Sequence, residues 1–262
     1  MGSATTQARA ASTKALAAAS AVTIDTAREL FAAAHAVGES SQLSGALADP
    51  AAPTLARQNV VSAVFGAFSQ DAQQVLKAVV AQRWSNADDL VDGIDELAIR
   101  AAAIAEPKAD IEGELFGFSR VIAQNSELEL ALGGRLGGAA AKAALVERLL
   151  ATGVSTATLV IVSSLVSHPR GRRVRQLLNR AMTIVSSQRG RVVATVHSAS
   201  PLSDAQRTRL SAALSSRYEG QVSLNVVIDP AVVGGLRVQI ADDVIDGSIA
   251  ARLADLRQKL AG

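Results

Sequence analysis

A stretch near the start of the chain returns 85 residues later. Glu29-Leu30-Phe31 recurs as Glu114-Leu115-Phe116, Ser41 as Ser126, Leu43 as Leu128 and Ala46-Leu47 as Ala131-Leu132. Over residues 28–47, seven of 20 positions are identical, where ordinary composition gives roughly one or two by chance. Like replaces like further on: Val37 returns as Ile122, Arg57 as Lys142 and Val61 as Val146. One inserted residue then lengthens the spacing to 86, matching Ser69 with Ser155, Leu76 with Val162, Val79-Val80 with Leu165-Val166 and Val91 with Leu177. A period this long means two copies of a small domain and not a solenoid of short units. Whatever the first copy folds into, the second must fold into as well.

Each copy reads as helical. Apolar residues make up 49% of the chain but aromatic ones only 3%, so Ala, Leu and Val supply the core. Ala and Leu are strong helix formers. In the first copy, Asp25 is placed to N-cap a helix over 26–37, and Leu43, Ala46 and Leu47 share a helical face. Asp49-Pro50-Ala51-Ala52-Pro53 breaks the chain. Apolar positions recur at helical spacing over 60–68, and a further helix is expected over about 69–84. Ser85, with Asp88 three residues on, signals the start of a helix over 86–105. Pro107 closes the copy.

The texture changes after Gly190. Residues 191–196 are β-branched, Val222, Leu224, Val226 and Ile228 alternate, and Leu236, Val238 and Ile240 alternate again. Period-2 alternation marks half-buried strands. Ser203 with Gln206 forms a capping box for a helix to about Tyr218. Asp246-Gly247 then turns the chain, and Ser248 caps a last helix with the apolar stripe Ile249, Leu253, Leu256 and Leu260. The expected fold is mostly α: two tandem helical bundles, 1–106 and 107–190, followed by a small α/β C-terminal unit, 191–262.

The tail carries a likeness. Strand residues Val222, Leu224 and Ile228 lead to Asp229-Pro230, a short spacer and Gly234-Gly235. A second alternation, Val238 and Ile240, leads to Val244-Ile245-Asp246-Gly247-Ser248 and then Arg252-Leu253. As a set these residues resemble the end of the delta subunit of rotary ATP synthases, whose mitochondrial relative is the oligomycin-sensitivity-conferring protein. Residues from about 109 to 196 also look like that family's helical half. A standard member has one helical half, so the extra copy, 1–106, resembles the long form of some bacteria.

The resemblance implies a non-catalytic peripheral-stalk (stator) subunit of a proton-translocating F-type ATP synthase. The helical part would grip the N-terminal ends of the head's alpha subunits. The second copy is favoured for this, because it adjoins the C-terminal unit as in the short form. The C-terminal unit would bind the b subunit of the stalk, so that the head does not turn with the rotor. Such a subunit carries no cofactor and sits at the cytoplasmic face of the cell membrane through its complex. The tail glycines allow φ > 0 or close backbone approach. Asp246-Gly247 suits a tight turn, and Ser248 suits a cap. They are read as scaffold. Leu256 and Leu260 stand between two readings, the domain's own core and a surface for b.

The chain's chemistry narrows the function classes. Without cysteine there is no disulfide, thiolate metal site or Cys nucleophile. His35, His168 and His197 have no metal-site spacing, and no Gly-x-Ser-x-Gly elbow is present. The run from Gly133 to Gly138 lacks the strand before it and the Gly-Lys-Ser/Thr of a phosphate loop, so a helix-to-helix loop is expected. No catalytic, metal or cofactor residue is assigned. Residues 1–21 lack a signal peptide's apolar core. The greasiest stretch, 154–166, is interrupted by five Ser and Thr and falls short of the roughly 18 apolar residues of a membrane span.

Charge is more informative. Asp88, Asp89, Asp92, Asp95 and Glu96 make the last helix of copy one acidic, whereas the matching stretch of copy two carries Arg170, Arg172, Arg173, Arg175 and Arg180. Homologous segments have taken opposite signs, and these faces are candidate interfaces, with different partners or with each other. Arg170 to Arg175 also supports a rival reading as a helical nucleic-acid-binding module. Against it stand a net charge of only +2 and the near absence of aromatics for stacking.

Overall fold

The computed structural model describes residues 2–134, 138–150, 153–218, 220–230, 232, 234–240 and 243–249. The chain divides into two compact units, Met1–Val185 and Ser186–Gly262. The first holds α1 (Ser3–Ala17), α2 (Ile24–Glu39), α3 (Ser41–Ala48), α4 (Thr54–Val64), α5 (Gln70–Ala81), α6 (Ala87–Ala105), α7 (Ile111–Gln124), α8 (Ser126–Gly133), α9 (Ala139–Leu150) and α10 (Thr156–Ser167); α11 (Val174–Gln188) crosses the boundary.

The repeat is visible helix by helix. α2 to α6 of the first copy correspond to α7 to α11 of the second. The matched apolar positions are the buried ones: Leu30 and Leu115, Val37 and Ile122, Leu47 and Leu132, Val61 and Val146, Leu76 and Val162. A polar clamp is repeated too. The Glu29 carboxylate accepts from Ser69 N at 2.9 Å and Ser69 Oγ at 2.5 Å. Glu114 accepts from Ser155 N at 3.0 Å and Ser155 Oγ at 2.6 Å. Each clamp ties the first helix of its copy, α2 or α7, to the N-terminus of the fourth, α5 or α10, where the helix dipole favours an anion.

The two copies share one apolar core, and the reason lies in α6. This helix packs on α2, α3 and α5 of its own copy and also on α10 of the next. Ala98, Ala101 and Ala102 are fully buried along it, and small side chains allow close approach on more than one side. Ahead of the first copy, α1 packs on α5 and α6, so α1 meets the fourth helix of copy one, α5, as α6 meets the fourth helix of copy two, α10.

Several local expectations shift. Thr23, and not Asp25, caps α2 through a capping box with Thr26, and Asp25 pairs with Arg28 in the first turn at 2.7 Å. Asn86, and not Ser85, caps α6 by accepting from Asp89 N at 2.7 Å. The helix expected over 69–84 ends at Ala81. Trp84 leaves the helix and folds back, its indole N–H donating to Val79 O at 2.9 Å. A buried indole needs such a partner.

The second unit is a four-stranded mixed sheet in the order β2-β1-β3-β4. Its strands are β1 (Arg191–Ser198), β2 (Gln221–Ile228), β3 (Leu236–Ile240) and β4 (Asp243–Asp246). β1 and β2 run parallel, joined by the crossover helix α12 (Asp204–Arg217), and the other two pairs are antiparallel. Ser203 and Gln206 form the capping box of α12. The core is Ala194, Val196, Leu214, Val222, Val238 and Ile240. Strand β4 was not anticipated, because four residues are too few for a period to show. In β2 the alternation misleads at two points: Ile228 is exposed and Asn225 is buried. The expected helix carrying Leu253, Leu256 and Leu260 lies outside the described residues.

Candidate interaction site: the charged joint between the helical copies

The loop between α10 and α11 opens with Pro169-Arg170-Gly171. Arg170 adopts a left-handed conformation with φ of 46°, and Gly171 follows at 75°. A non-glycine residue pays roughly 1–2 kcal/mol for that backbone, and here side-chain contacts hold it. Arg170 Nη2 donates to Asp92 Oδ1 at 2.6 Å and also to Asp95, both on α6. Arg172 Nη2 donates to Asp92 Oδ2 at 2.5 Å. Arg180 of α11 lies 3.4 Å from the same oxygen and donates to the Asp92 carbonyl at 3.2 Å. One helical turn further on, Glu96 is 3.4 Å from Arg9 of α1 and 2.8 Å from Arg100.

The carboxylates of this joint are nearly closed off from solvent, at 11% for Asp92 and 12% for Asp95. Buried charges persist only when paired and hydrogen-bonded. Burial pushes the Asp92 carboxyl up, but the Arg172 hydrogen bond and the Arg180 and Arg170 charges outweigh it and hold it below the usual range. At Asp95 burial wins, helped by the Asp92 charge, and pushes it up to about 6 against the pull of Arg170. Burial pushes the Arg180 guanidinium down, while the hydrogen bond to Asp92 holds Arg172 up.

Beside the ion cluster, His35 of α2 and His168 at the end of α10 stack with ring centroids 3.6 Å apart. Burial, then the charges of His168 and Arg170, push His35 down to about 4. His168 Nε2 lies 3.1 Å from Glu39 Oε1. Sequence spacing gave no sign of this pairing, because the two residues do not occupy matching places in the repeat.

Of the residues singled out by charge, Asp92, Asp95, Arg170, Arg172 and Arg180 converge. Asp89 instead accepts from the Thr5 hydroxyl of α1 at 2.7 Å. Arg175 pairs with Glu129 at 3.3 Å. Asp88 and Arg173 are exposed. Of the arginines behind the nucleic-acid reading, Arg170 and Arg172 are therefore turned onto α6 and Arg175 onto α8. Leu256 and Leu260, with Arg252 and Leu253 of the tail motif, lie outside the described residues.

The remaining tail residues meet in one turn. Gly234 and Gly235 have φ of 67° and 80°, and a Cβ on Gly235 would stand 2.4 Å from Gly247 O. Gly247 N donates to Leu236 O at 2.8 Å, Ile249 N to Gly234 O at 3.1 Å and Ser248 N to Asp246 Oδ1 at 2.9 Å. Asp229 N donates to Ser198 O at 2.8 Å and begins the turn through Pro230. Ile245 packs against the sheet core, whereas Val244 is exposed. Only glycine fits where two backbones come this close.

A duplicated helical scaffold, closed by ion pairs between its halves and followed by a small mixed-sheet unit, is the class these features define. The family model for the ATP synthase delta (OSCP) subunit matches residues 97–260. The chain is 48% identical to the ATP synthase subunit delta of Leifsonia xyli subsp. xyli, covering 100% of both chains. It is 39% identical to that of Streptomyces avermitilis, over 91% of this chain and 89% of the relative. A chain in the structure of the Toxoplasma gondii mitochondrial ATP synthase hexamer is 18% identical, covering 64% of this chain and 97% of its own, with a TM-score of 0.38. The chain belongs to the ATP synthase delta (OSCP) subunit family. The family match begins inside α6, the helix that packs into both copies. No helix among the described residues is long and apolar enough to cross a membrane.

Proposed function

We propose that this chain is a non-catalytic stator element of a proton-translocating ATP synthase, holding the alpha/beta head to the b-subunit stalk at the cytoplasmic face of the membrane. The second helical copy, 107–190, grips the alpha N-termini; the C-terminal unit, 191–262, receives b; and the extra copy, 1–106, braces the second. The observation that supports this reading, beside family membership, is the joint on α6. A part that resists torque must not let its own halves roll past one another. A shared core with a buried Asp–Arg cluster meets that need, because sliding would strip buried charges of their partners at several kcal/mol each.

The test is chemical cross-linking of the ATP synthase purified through a tag on this chain, together with removal of the chain from the complex. Links from the second copy to alpha and from the C-terminal unit to b are expected. Removal should leave ATP hydrolysis by the head running while ATP-driven proton pumping is lost. Pumping that survives removal would overturn the stator role.

A further inference from the structure

The repeat produces the same cleft twice, with different chemistry. In copy one it lies between the end of α3 and the loop into α6 and measures about 750 Å³. In copy two it lies between the end of α8 and the loop into α11 and measures about 760 Å³. The walls correspond residue by residue: Gly45 and Leu130, Asn86 and Arg172, Ala87 and Arg173. In copy one, Ser3 and Ala4 at the start of α1 line the rim, and the charges are one cation, Arg83, and one anion, Asp49. Among the described residues, no N-terminal turn of a helix from outside the copy lines the cleft in copy two, and its chemistry has moved toward cations and one exposed apolar side chain.

Among the described residues, three cations face this second cleft. Arg173 is exposed and makes no ion pair among the described residues. Arg172 is shared with Asp92. Lys142 is only 7% exposed, yet its ammonium meets no carboxylate there; it donates to the Gly134 carbonyl at 2.7 Å. The matching buried cation of copy one, Arg57, instead reaches Gln82 O, just past the end of α5, at 3.1 Å. Lys142 carries two further N–H donors. The single acid in the wall, Glu129, is paired with Arg175. Beside these charges Leu130 stands 75% exposed, on a helix whose matching position in copy one is glycine.

We propose that this cleft of the second copy docks an acidic segment of another subunit, with a carboxylate between Arg173 and Lys142 and an apolar side chain against Leu130. Charge complementarity selects the occupant: an excess of unpaired cations in a partly desolvated cleft both steers and retains an anionic partner. A peptide fits better than a nucleic-acid backbone. The free charge is confined to one cleft instead of a stripe, and the apolar contact at Leu130 has no use for phosphate. The proposal rests on the chain's place in the ATP synthase, and its test separates the two.

The experiment places a photo-crosslinker at the rim, Ser126→p-benzoylphenylalanine, in the tagged full chain within the purified ATP synthase. Presence of the chain in the complex reports on the stator reading alone. Illumination should link position 126 to a segment of a different subunit that contains Asp or Glu beside an apolar residue. Arg173→Glu should lower that yield about tenfold, while Arg173→Lys should keep most of it. Leu130→Glu should also lower it. Arg173 is exposed and without an ion pair, so its variants leave the fold intact, to be checked by circular dichroism. The proposal is overturned by links confined to this chain, links to a basic or uncharged segment or to nucleic acid, the absence of any link, or a yield that Arg173→Glu leaves unchanged.

Discussion

The two helical copies close the same joint with different amounts of charge. In the first, α1 meets the loop between α5 and α6 through one hydroxyl, Thr5, bonded to Ser85 Oγ at 2.9 Å and to Asp89 in the first turn of α6, with a single ion pair, Arg9 to Glu96, further along that helix. In the second, α6 meets the loop between α10 and α11 through Asp92, Asp95, Arg170 and Arg172. The repeat position that holds buried Trp84 in copy one holds Arg170 in copy two. A hydroxyl contact is forgiving, since it loses little if it returns to water. A buried ionic joint has a sharper penalty, because a half-made cluster is worse than none. The fold tolerates both, and the ionic version adds one defined register between the copies.

The comparison is most strongly tested by Asp92→Ala. It leaves Arg172 and Arg180 without their shared carboxylate, and a loss of roughly 3–5 kcal/mol is expected. Urea unfolding of the full chain, followed through Trp84 fluorescence, measures it. A loss under about 1 kcal/mol, the range of an exposed pair, would show that the joint is wet and break the contrast.

Next is Gly93→Ala. The added methyl would lie 2.2 Å from Cη2 of Trp84, so the indole must shift, at about 1–3 kcal/mol for overpacking. The matching residue of copy two, Asn179, is exposed, and Asn179→Ala should stay within about 0.5 kcal/mol. Similar costs for the two would mean that Trp84 is not the neutral counterpart of Arg170.

A smaller effect, about 1 kcal/mol, is expected of Thr5→Val, which removes the hydroxyl of the first joint but keeps its shape. If Thr5→Val matched Asp92→Ala in the same titration, the two joints would be energetically alike.

The smallest net effect is on pH dependence, where two buried groups oppose each other. His35 has its pKa lowered to about 4 in the fold. Its contribution is whole above pH 6.5 and is lost as pH falls toward 4. Asp95 is raised to about 6. Its contribution is whole below pH 3.8 and is lost as pH rises through 6. Wild-type stability should therefore vary little between pH 4 and 6.5. Relative to it, His35→Gln should gain stability as pH falls across that window and Asp95→Asn should lose it. Parallel curves for all three proteins would remove the offset.

Much of this molecule was legible in the residues. Beside the duplication, the helical breaks, the Ser203–Gln206 capping box and the period-2 strands are short-range patterns, because helix and strand periods and cap chemistry act over a few positions. The failures have local causes as well. Thr23 displaced Asp25 and Asn86 displaced Ser85, since neighbouring polar residues compete for the same free N–H groups. Strand β4 was too short to show a period.

The sequence by itself determined that one helical unit is made twice, that a small mixed α/β unit follows, and that the tail resembles one subunit family. It also showed that matching stretches carry opposite charge. Only the tertiary structure decided that those stretches meet, that His35 stacks on His168, and that α6 packs into both copies. The physical reason is range. A helix is specified by neighbours within a turn or two, whereas a buried charge is specified by whichever partner the packing brings within about 4 Å, and that partner lies 75 to 80 residues away in the chain.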